Sequence, residues 1–430
     1  MDYLDIPGIA AAVIKDGELF WMNTYGLADI ENDVMVTENT LFMLASVSKT
    51  FTATALMQLY EEGEFDLDDP VNDYLPFTVE NPFYPSTSIT FRMLLTHTAS
   101  ISDNLGDNIT GDHPTPLGEF LENYLDPRGD DYFEDNYFEY EPGTDHEYSN
   151  TGIALAGYLV AQISGMAFED YFQTNVFPVL DMNYSSWFLE NLDTDSIAVP
   201  YRYQDGQNVA VEHYGYLDYP SGQLRTSIRQ LSHFLMAYSN GGQYENNPLL
   251  DTATIAQMWT RQIPEIEPTQ GLVWFNETYG ERTFWGHTGS DIGVATQMQY
   301  DPETGIGAIV LCNAGVDVTP IVSRLFDYAE NQATVNPPGS ELPSGFKLEQ
   351  NYPNPFNPVT TITYALPKAS HATIAIYNVL GQQIAKPVSK FHAAGRHAVR
   401  VEAESFTSGI YFYQLTAGEF SATAKMTVIK

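Results

Sequence analysis

Lysine is almost missing from the first 340 residues of this 430-residue chain. Lys15 and Lys49 are the two that occur there, among 51 Asp and Glu. Lys49 follows Ser46 by three places in Ser46-Val47-Ser48-Lys49, where an apolar pattern of helical period sets in with Val47, Phe51, Leu56, Leu59 and Tyr60. Residues i and i+3 of a helix share a face, so the hydroxyl and the amine are placed to touch. A lysine held beside a serine in a dry site can give up its proton and act as a base. Ser46 is therefore read as a nucleophile and Lys49 as the group that activates it. A capping serine followed by a solvated lysine would give the same four letters, and the scarcity of lysine is what argues against that reading.

Composition narrows the rest. Hydrophobic residues make up 43% of the chain and aromatics 13%, enough for a packed core. Cys312 is the single cysteine, so there is no intrachain disulfide. It lies in the apolar run Ile309-Val310-Leu311-Cys312 and reads as a buried strand residue. No run of 18 apolar residues occurs, so no membrane span is expected, and Gly152 to Phe168 suits a core helix. Met1-Asp2-Tyr3-Leu4-Asp5 lacks a basic start and an apolar run, so no signal peptide is read there and the start looks trimmed. Residues 1–340 carry 10 Lys and Arg against 51 Asp and Glu, a balance of −41, whereas residues 341–430 carry 8 against 5, or +3. So acidic a body excludes nucleic acid and anionic membranes as partners. At about 1 M salt the screening length is about 3 Å and most self-repulsion vanishes. Adaptation to high salt is the expectation, with a generically acidic secreted protein as the alternative.

Along the chain, Ile9–Lys15 and Leu19–Tyr25 read as strands about the turn Asp16-Gly17. Helices are expected from Val47 to Glu62, closed by Gly63, from Phe91 to Thr96, from Thr151 to Ile163, and from Ile228 to Tyr238. Gly293–Tyr300 and Gly307–Cys312 form a second hairpin, and Ile321–Asn331 a closing helix. Strands at both ends with helices between predict one α/β (α+β) domain over residues 1–334, its terminal strands sharing one antiparallel sheet. Residues 335–345, with Pro337-Pro338-Gly339 and Pro343-Ser344-Gly345, read as a linker. Over residues 346–430 the segments Thr361–Leu366, Ala372–Tyr377, His397–Val401, Ile410–Leu415 and Ala422–Ile429 alternate at period two and predict a small β-sandwich.

Two further short motifs follow Ser46-x-x-Lys49. Tyr148-Ser149-Asn150 offers a phenol for proton transfer and an amide to bind the acyl carbonyl or hold Lys49, although Asn150 or Thr151 would equally serve as the N-cap of the next helix. His287-Thr288-Gly289 offers a polar strand edge for substrate. There the Ser290 N–H is a candidate second oxyanion donor, after that of Ser46, and Gly289 would permit close approach. A turn with a satisfied histidine is the alternative there.

In this order the motifs resemble those of the serine β-lactamase and penicillin-binding-protein superfamily, in which a lysine-activated S-x-x-K serine leads two later motifs. The pattern is similar to class C β-lactamases and to the DD-peptidases and family VIII esterases of the same fold, whose middle motif is Y-x-N. The resemblance covers about residues 6–333 and extends to Ile6-Pro7-Gly8, Leu94-Leu95-Thr96-His97-Thr98 and Ser221-Gly222-Gln223-Leu224-Arg225, with His97 read as bracing a loop. It implies a β-lactamase/transpeptidase-like fold, an antiparallel sheet with an all-helical subdomain. It also implies acyl transfer through Ser46, with Lys49, Tyr148 and His287 moving protons, Asn150, Thr288, Gly289 and Ser290 binding substrate, and no metal or other cofactor. Class C enzymes have lysine where this chain has His287. A neutral imidazole attracts a substrate carboxylate less than an ammonium does, and the acidic body repels anions. Arg225 and Arg282 are the candidates to restore an anchor. The expected substrate is thus a small ester, ahead of a DD-peptidase or D-amino-acid amidase substrate and then a β-lactam. A catalytically silent binding module is the reading from another class. If neutral His287 assists the leaving group, activity should fall below about pH 6.5. The protein is expected to act as a monomer.

Leu348-Glu349-Gln350-Asn351-Tyr352-Pro353-Asn354-Pro355-Phe356-Asn357-Pro358, with Tyr377-Asn378-Val379-Leu380-Gly381 and Ser408-Gly409-Ile410-Tyr411, resembles a type A sorting domain of the type IX secretion system. That implies passage through the periplasm to the surface or beyond, with the secretion machinery as a partner. A carbohydrate-binding sandwich is the alternative.

Overall fold

The computed structural model describes residues 6–106, 109–279, 282–334, 345–351, 353–367, 370–392, 395–403, 406–418 and 420–429. Nearly all of the expected linker, residues 335–344, lies outside them, as do Met1–Asp5 and Tyr352. The chain forms two compact units, Met1–Glu330 and Asn331–Lys430.

In the first unit, β1 (Gly8–Lys15) and β2 (Glu18–Asp29) pair about Asp16 and Gly17, whose φ values of 51° and 78° are those a two-residue type I′ turn requires. β1 reads Gly-Ile-Ala-Ala-Ala-Val-Ile because both of its faces are covered. Ala10, Ala12 and Ile14 join the core that contains Phe51 and Leu56, and Ile9, Ala11 and Val13 join the one that contains Val322 and Phe326. β3 (Val34–Met35), β4 (Phe275–Tyr279), β5 (Arg282–Asp291), β6 (Val294–Asp301) and β7 (Ile306–Cys312) complete a seven-stranded sheet in the order β4-β5-β6-β7-β1-β2-β3. β7 pairs antiparallel with β1 from Ile9↔Cys312 to Lys15↔Ile306, so the strands from both ends share one sheet as expected. Cys312 is fully buried, and burial pushes its thiol up to about 12.

Two features of this unit position the site. β4 pairs with β5 no further than Phe275↔Gly286, whereas β5 continues along β6 to Asp291↔Val294. Among the described residues no strand pairs with the outer side of His287–Asp291. The other feature is α1 (Ser48–Glu61), of which all but three residues are buried. Phe51 stacks on Phe234 of α2 (Ile228–Ser239) with ring centroids 3.9 Å apart, and Gly63 follows α1 in the left-handed region at φ 77°.

The second unit holds two sheets around a single core. One is β8-β9-β12, from β8 (Lys347–Leu348), β9 (Val359–Leu366) and β12 (Gly395–Glu402). The other is β11-β10-β13-β14, from β10 (Ser370–Tyr377), β11 (Gln383–His392), β13 (Gly409–Ala417) and β14 (Phe420–Val428). Ile362, Tyr364, Ile374, Ile376, Tyr413, Leu415 and Met426 are buried between them. β11 was not expected from the sequence. Pro387 removes a ladder donor, and the strand is accordingly found at a sheet edge.

Candidate active site

Ser46 sits on a single 3-10 turn, Ala45–Val47, just ahead of α1. A short strand, Leu41–Met43, leads into it and pairs antiparallel with Arg225–Ser227. The Leu44 N–H donates to Leu224 O at 2.8 Å, and the Leu224 N–H donates to Ser48 Oγ at 3.2 Å. The segment Ser221–Arg225 is thus a brace for the turn that carries Ser46. Ala45 is held at φ 46°, a left-handed conformation that an L-residue adopts at a cost of about 1–2 kcal/mol. β5 lies against the same turn. A Cβ at Gly289 would fall 2.3 Å from both Leu44 O and Thr296 Oγ1, which are themselves bonded at 2.6 Å. The sequence suggested that Gly289 clears space for substrate. The space it leaves is filled by the protein itself, through Leu44 O and the Thr296 hydroxyl.

Lys49 is completely buried. Its Nζ lies 3.1 Å from Ser46 Oγ, 2.7 Å from Asn150 Oδ1 and 2.7 Å from Ser221 O, and 4.9 Å from the centroid of the Tyr148 ring. As an ammonium it has three acceptors for three donors. As a neutral amine it can donate along the two shorter contacts and turn its lone pair to the Ser46 hydroxyl.

Asn150 is the first residue of α3 (Asn150–Ser164), and its side chain is taken by Lys49. The N-cap is Ser149, not Asn150 or Thr151, and its Oγ accepts from the Gly152 N–H at 2.9 Å. Asp103, which sequence reasoning missed, supplies the rest. It accepts from the Asn150 N–H (2.7 Å), the Thr151 N–H (2.9 Å) and Ser149 Oγ (3.1 Å). No local signal in Ile101-Ser102-Asp103 marks it. His97 does brace a loop, and the loop is the one with Tyr148. Its carbonyl accepts from the Glu147 N–H at 3.0 Å, its Nδ1 accepts from the Ser149 N–H at 3.2 Å, and its ring stacks on Tyr148 at 4.3 Å. Burial, aided by the charge of Lys49, holds the His97 imidazole well below its ordinary range. Tyr148 itself is 37% exposed, its ring between Lys49 and His97 and its centroid 6.3 Å from that of His287.

His287 lies within β5, not ahead of the hairpin, and is 5% exposed. Its Nδ1 is 2.7 Å from Thr288 O. A carbonyl only accepts, so Nδ1 carries the hydrogen and Nε2 keeps its lone pair, with no protein partner among the described residues. Burial, then the charge of Lys49, pushes this imidazole down to about 3. That corrects the expectation of a loss of activity near pH 6.5, since His287 does not gain a proton there. Thr288 and Ser290 are exposed on the open edge of β5.

A cavity of about 250 Å³ opens beside Ser46 and is lined in part by Asn150, Ser290, Asp103, Asp218 and Asp291. Neither candidate carboxylate anchor reaches it. Arg225 is buried and donates to the carbonyls of Trp187, Gln223 and Tyr214. Arg282 pairs with Asp327 and Glu330. Chemically the arrangement gathers an amine, a phenol and a neutral imidazole behind a hydroxyl that lines a pocket whose charged side chains are carboxylates.

Comparison with known proteins gives the family. Residues 1–325 match the Beta-lactamase family, and residues 350–430 match the Secretion system C-terminal sorting domain. A Beta-lactamase of Pseudomonas fluorescens is 28% identical over 345 residues, covering 73% of this chain and 90% of the relative. Protein flp of Staphylococcus aureus is 23% identical over 369 residues, covering 84% and 69%. Among solved structures, the D-amino acid amidase from Ochrobactrum anthropi SV3 superposes with a TM-score of 0.63 at 24% identity, over 76% of this chain and 95% of that one. The octameric penicillin-binding protein homologue from Pyrococcus abyssi gives 0.60 at 21% identity, over 99% and 93%. At those identities the structures speak for the fold. The chain belongs to the beta-lactamase family, with penicillin-binding-protein-like structural neighbours, and it carries a type IX secretion sorting domain that directs it to the cell surface or beyond.

Proposed function

We propose that this is a secreted serine hydrolase that cleaves small esters, or amides, through an acyl-enzyme on Ser46. The observation that carries the proposal is the contact of the buried Lys49 amine with Ser46 Oγ, 3.1 Å, at the edge of an open cavity. Ser46 Oγ forms a bond to the acyl carbon as its proton passes to the neutral Lys49 amine, and Lys49 in turn makes good the proton that the Tyr148 phenol gives up to the leaving group. The negative oxygen is held by the Ser46 and Ser290 N–H groups, and Asn150 orients the carbonyl and the amine. The carbon–leaving-group bond breaks as Tyr148 gives that proton to the departing atom, and water repeats the sequence to free the acid. His287 acts as a neutral acceptor through Nε2 and steadies the phenol side of the relay. Thr288, Gly289 and Ser290 form the edge along which the substrate lies.

The ester preference rests on what surrounds the cavity. Arg225 and Arg282 are engaged elsewhere and His287 is uncharged, so a substrate carboxylate meets no free cation among the described residues. This places a carboxylate-free ester or amide ahead of a peptide ending in D-Ala, and that ahead of a β-lactam. A fluorophosphonate probe should add its mass to the wild type and not to Ser46→Ala, and hydrolysis of short p-nitrophenyl esters should exceed that of a chromogenic cephalosporin. No adduct and no turnover would identify a silent binding module instead. We also propose that the acidic body is adapted to salt, so these assays belong at about 1 M NaCl. A protein most stable without salt would refute that part.

A further inference from the structure

Three carboxylates, Asp103, Asp218 and Asp291, face the cavity that opens on Ser46, and no arginine, lysine or histidine lines it among the described residues. The one cation beside it, Lys49, is surrounded by Ser46 Oγ, Asn150 Oδ1 and Ser221 O. The partners of the three carboxylates are neutral. Asp103 caps α3, and Asp291 accepts from Tyr216 Oη and from the Ile292 N–H. Asp218 is the most telling of the three. It is 7% exposed, its Oδ2 accepts from Ser221 Oγ at 2.7 Å, and no other residue among those described bonds its Oδ1. Burial raises its carboxyl above the usual range against the Ser221 hydroxyl and the charge of Lys49, which lower it, and the charge of Asp103 adds to the rise. A nearly buried carboxyl on a cavity wall, with one hydroxyl partner and the charge of Asp103 beside it, is relieved either by a proton or by a cation that enters the cavity.

We infer that this pocket selects a positively charged substrate: a small ester or amide whose acyl group bears an ammonium within a few bonds of the scissile carbonyl. The inference rests on the acyl-enzyme reading above and adds to it the sign of the substrate's charge. A cavity of about 250 Å³ suits an acyl group of amino-acid size. Cationic substrates gain there what the acidic body denies to anions, through Coulomb attraction in a partly dry site.

The test is a series in which charge alone is varied. Alanine methyl ester, N-acetylalanine methyl ester and N-succinylalanine methyl ester, both enantiomers of each, are compared at pH 6.5 by methanol release. The free ammonium form should exceed the acetylated one in kcat/KM by about tenfold or more, and the succinylated one should fall lower still. Asp218→Asn and Asp291→Asn should each shrink the ratio of ammonium to acetylated ester severalfold, a ratio that cancels any loss of folded protein. On the wild type alone, propylammonium should slow fluorophosphonate labelling of Ser46, and butyrate at equal ionic strength should not. Equal rates across the series, a preference for the succinylated ester, or no cleavage of any of the three while labelling persists would overturn the charge assignment and leave the nucleophile standing. Absence of labelling would instead remove the acyl-enzyme reading itself.

Discussion

The two flanks of Ser46 are built on opposite principles. On the amine flank Lys49 has an acceptor for every donor, and both imidazoles, His97 and His287, are held neutral by burial. On the pocket flank three carboxylates share a cavity with neutral partners, and one of them keeps an oxygen unbonded by any other described residue. A flank whose charged group has every donor answered by protein is arranged for geometry, since each of those contacts fixes a position. A flank with an unanswered charge is arranged for a ligand. The difference assigns chemistry to one side of the hydroxyl and recognition to the other, and it can be broken by changing each side in turn.

The largest effect is expected on the amine flank. Lys49→Met keeps the length and apolar stem of the side chain but removes the amine, and kcat should fall by about 10³-fold or more for cationic and neutral esters alike. Asn150 Oδ1 and Ser221 O would lose their donor in a dry place, so thermal stability should fall too, by about 1–3 kcal/mol for each acceptor left unpaired. A variant with a tenth of wild-type activity would show that Ser46 is activated by something else. Asp218→Asn, by contrast, should alter the choice among substrates more than the rate with the neutral one.

Tyr148→Phe should come next. The phenol is proposed to carry the proton to the leaving group, which is a matter of about 10²-fold in kcat. What holds the ring in place is the stack on His97 and the overlying Lys49, and both survive loss of the hydroxyl. The melting temperature should therefore stay within about 1–2 °C of wild type, as for other changes away from buried contacts. A large loss of stability would mean that Oη has a structural duty.

How far this division could be read from the chain depends on whether the signal was local. Ser46 and Lys49 were legible because their contact is fixed by three residues of helix. The Asp16-Gly17 hairpin was legible because the turn chemistry sits in two adjacent residues. The terminal strands could be assigned to one sheet because both read as apolar runs bounded by turns. Asp103 was not legible, since it caps a helix that begins 47 residues later and its neighbours carry no mark of that. The carboxylates of the pocket were hidden for a related reason: in a chain so rich in Asp, three that face inward look like the many that face out. Gly289 was seen as significant but for the wrong partner, because sequence cannot tell a glycine that admits substrate from one that admits Leu44 O and Thr296 Oγ1. The edge strand Gln383–His392 escaped because Pro387 and its lysines, the very features that protect an exposed edge, weaken the strand pattern.

Gly289→Ala gives a smaller effect that still divides the flanks. The added methyl meets two oxygens at 2.3 Å, one of them backbone, so β5 must retreat from the turn that carries Ser46. That moves the proposed Ser290 donor relative to the nucleophile, and kcat should fall about tenfold or more, as for a misplaced oxyanion contact. The preference for a cationic ester should survive in part, since Asp103 and Asp218 lie off β5 and only Asp291 moves with it. If the preference collapsed with the rate, the two flanks would not be separable.

The smallest effect concerns pH and His287. In the folded chain its imidazole is pushed to about 3, against an ordinary value near 6.5, so between those values the unfolded chain holds a proton that the folded one does not. The stability that the neutral buried ring contributes is thus complete above about pH 6.5 and is lost as pH falls toward 3, at up to about 1.4 kcal/mol per unit. His287→Gln removes that slope. Relative to wild type, its stability should improve by about 2 kcal/mol on going from pH 7 to pH 5, read by urea unfolding at the two pH values. Catalysis should not follow the same curve, because a ring that is neutral throughout pH 5–8 makes no contribution to the shape of the rate profile there. The ring protons of His287 should accordingly keep their neutral NMR positions down to pH 5. A titration midpoint above about 5.5 would put a second charge on the amine flank, one with no protein partner at Nε2 among the described residues, and the contrast with the pocket flank would lose its physical basis.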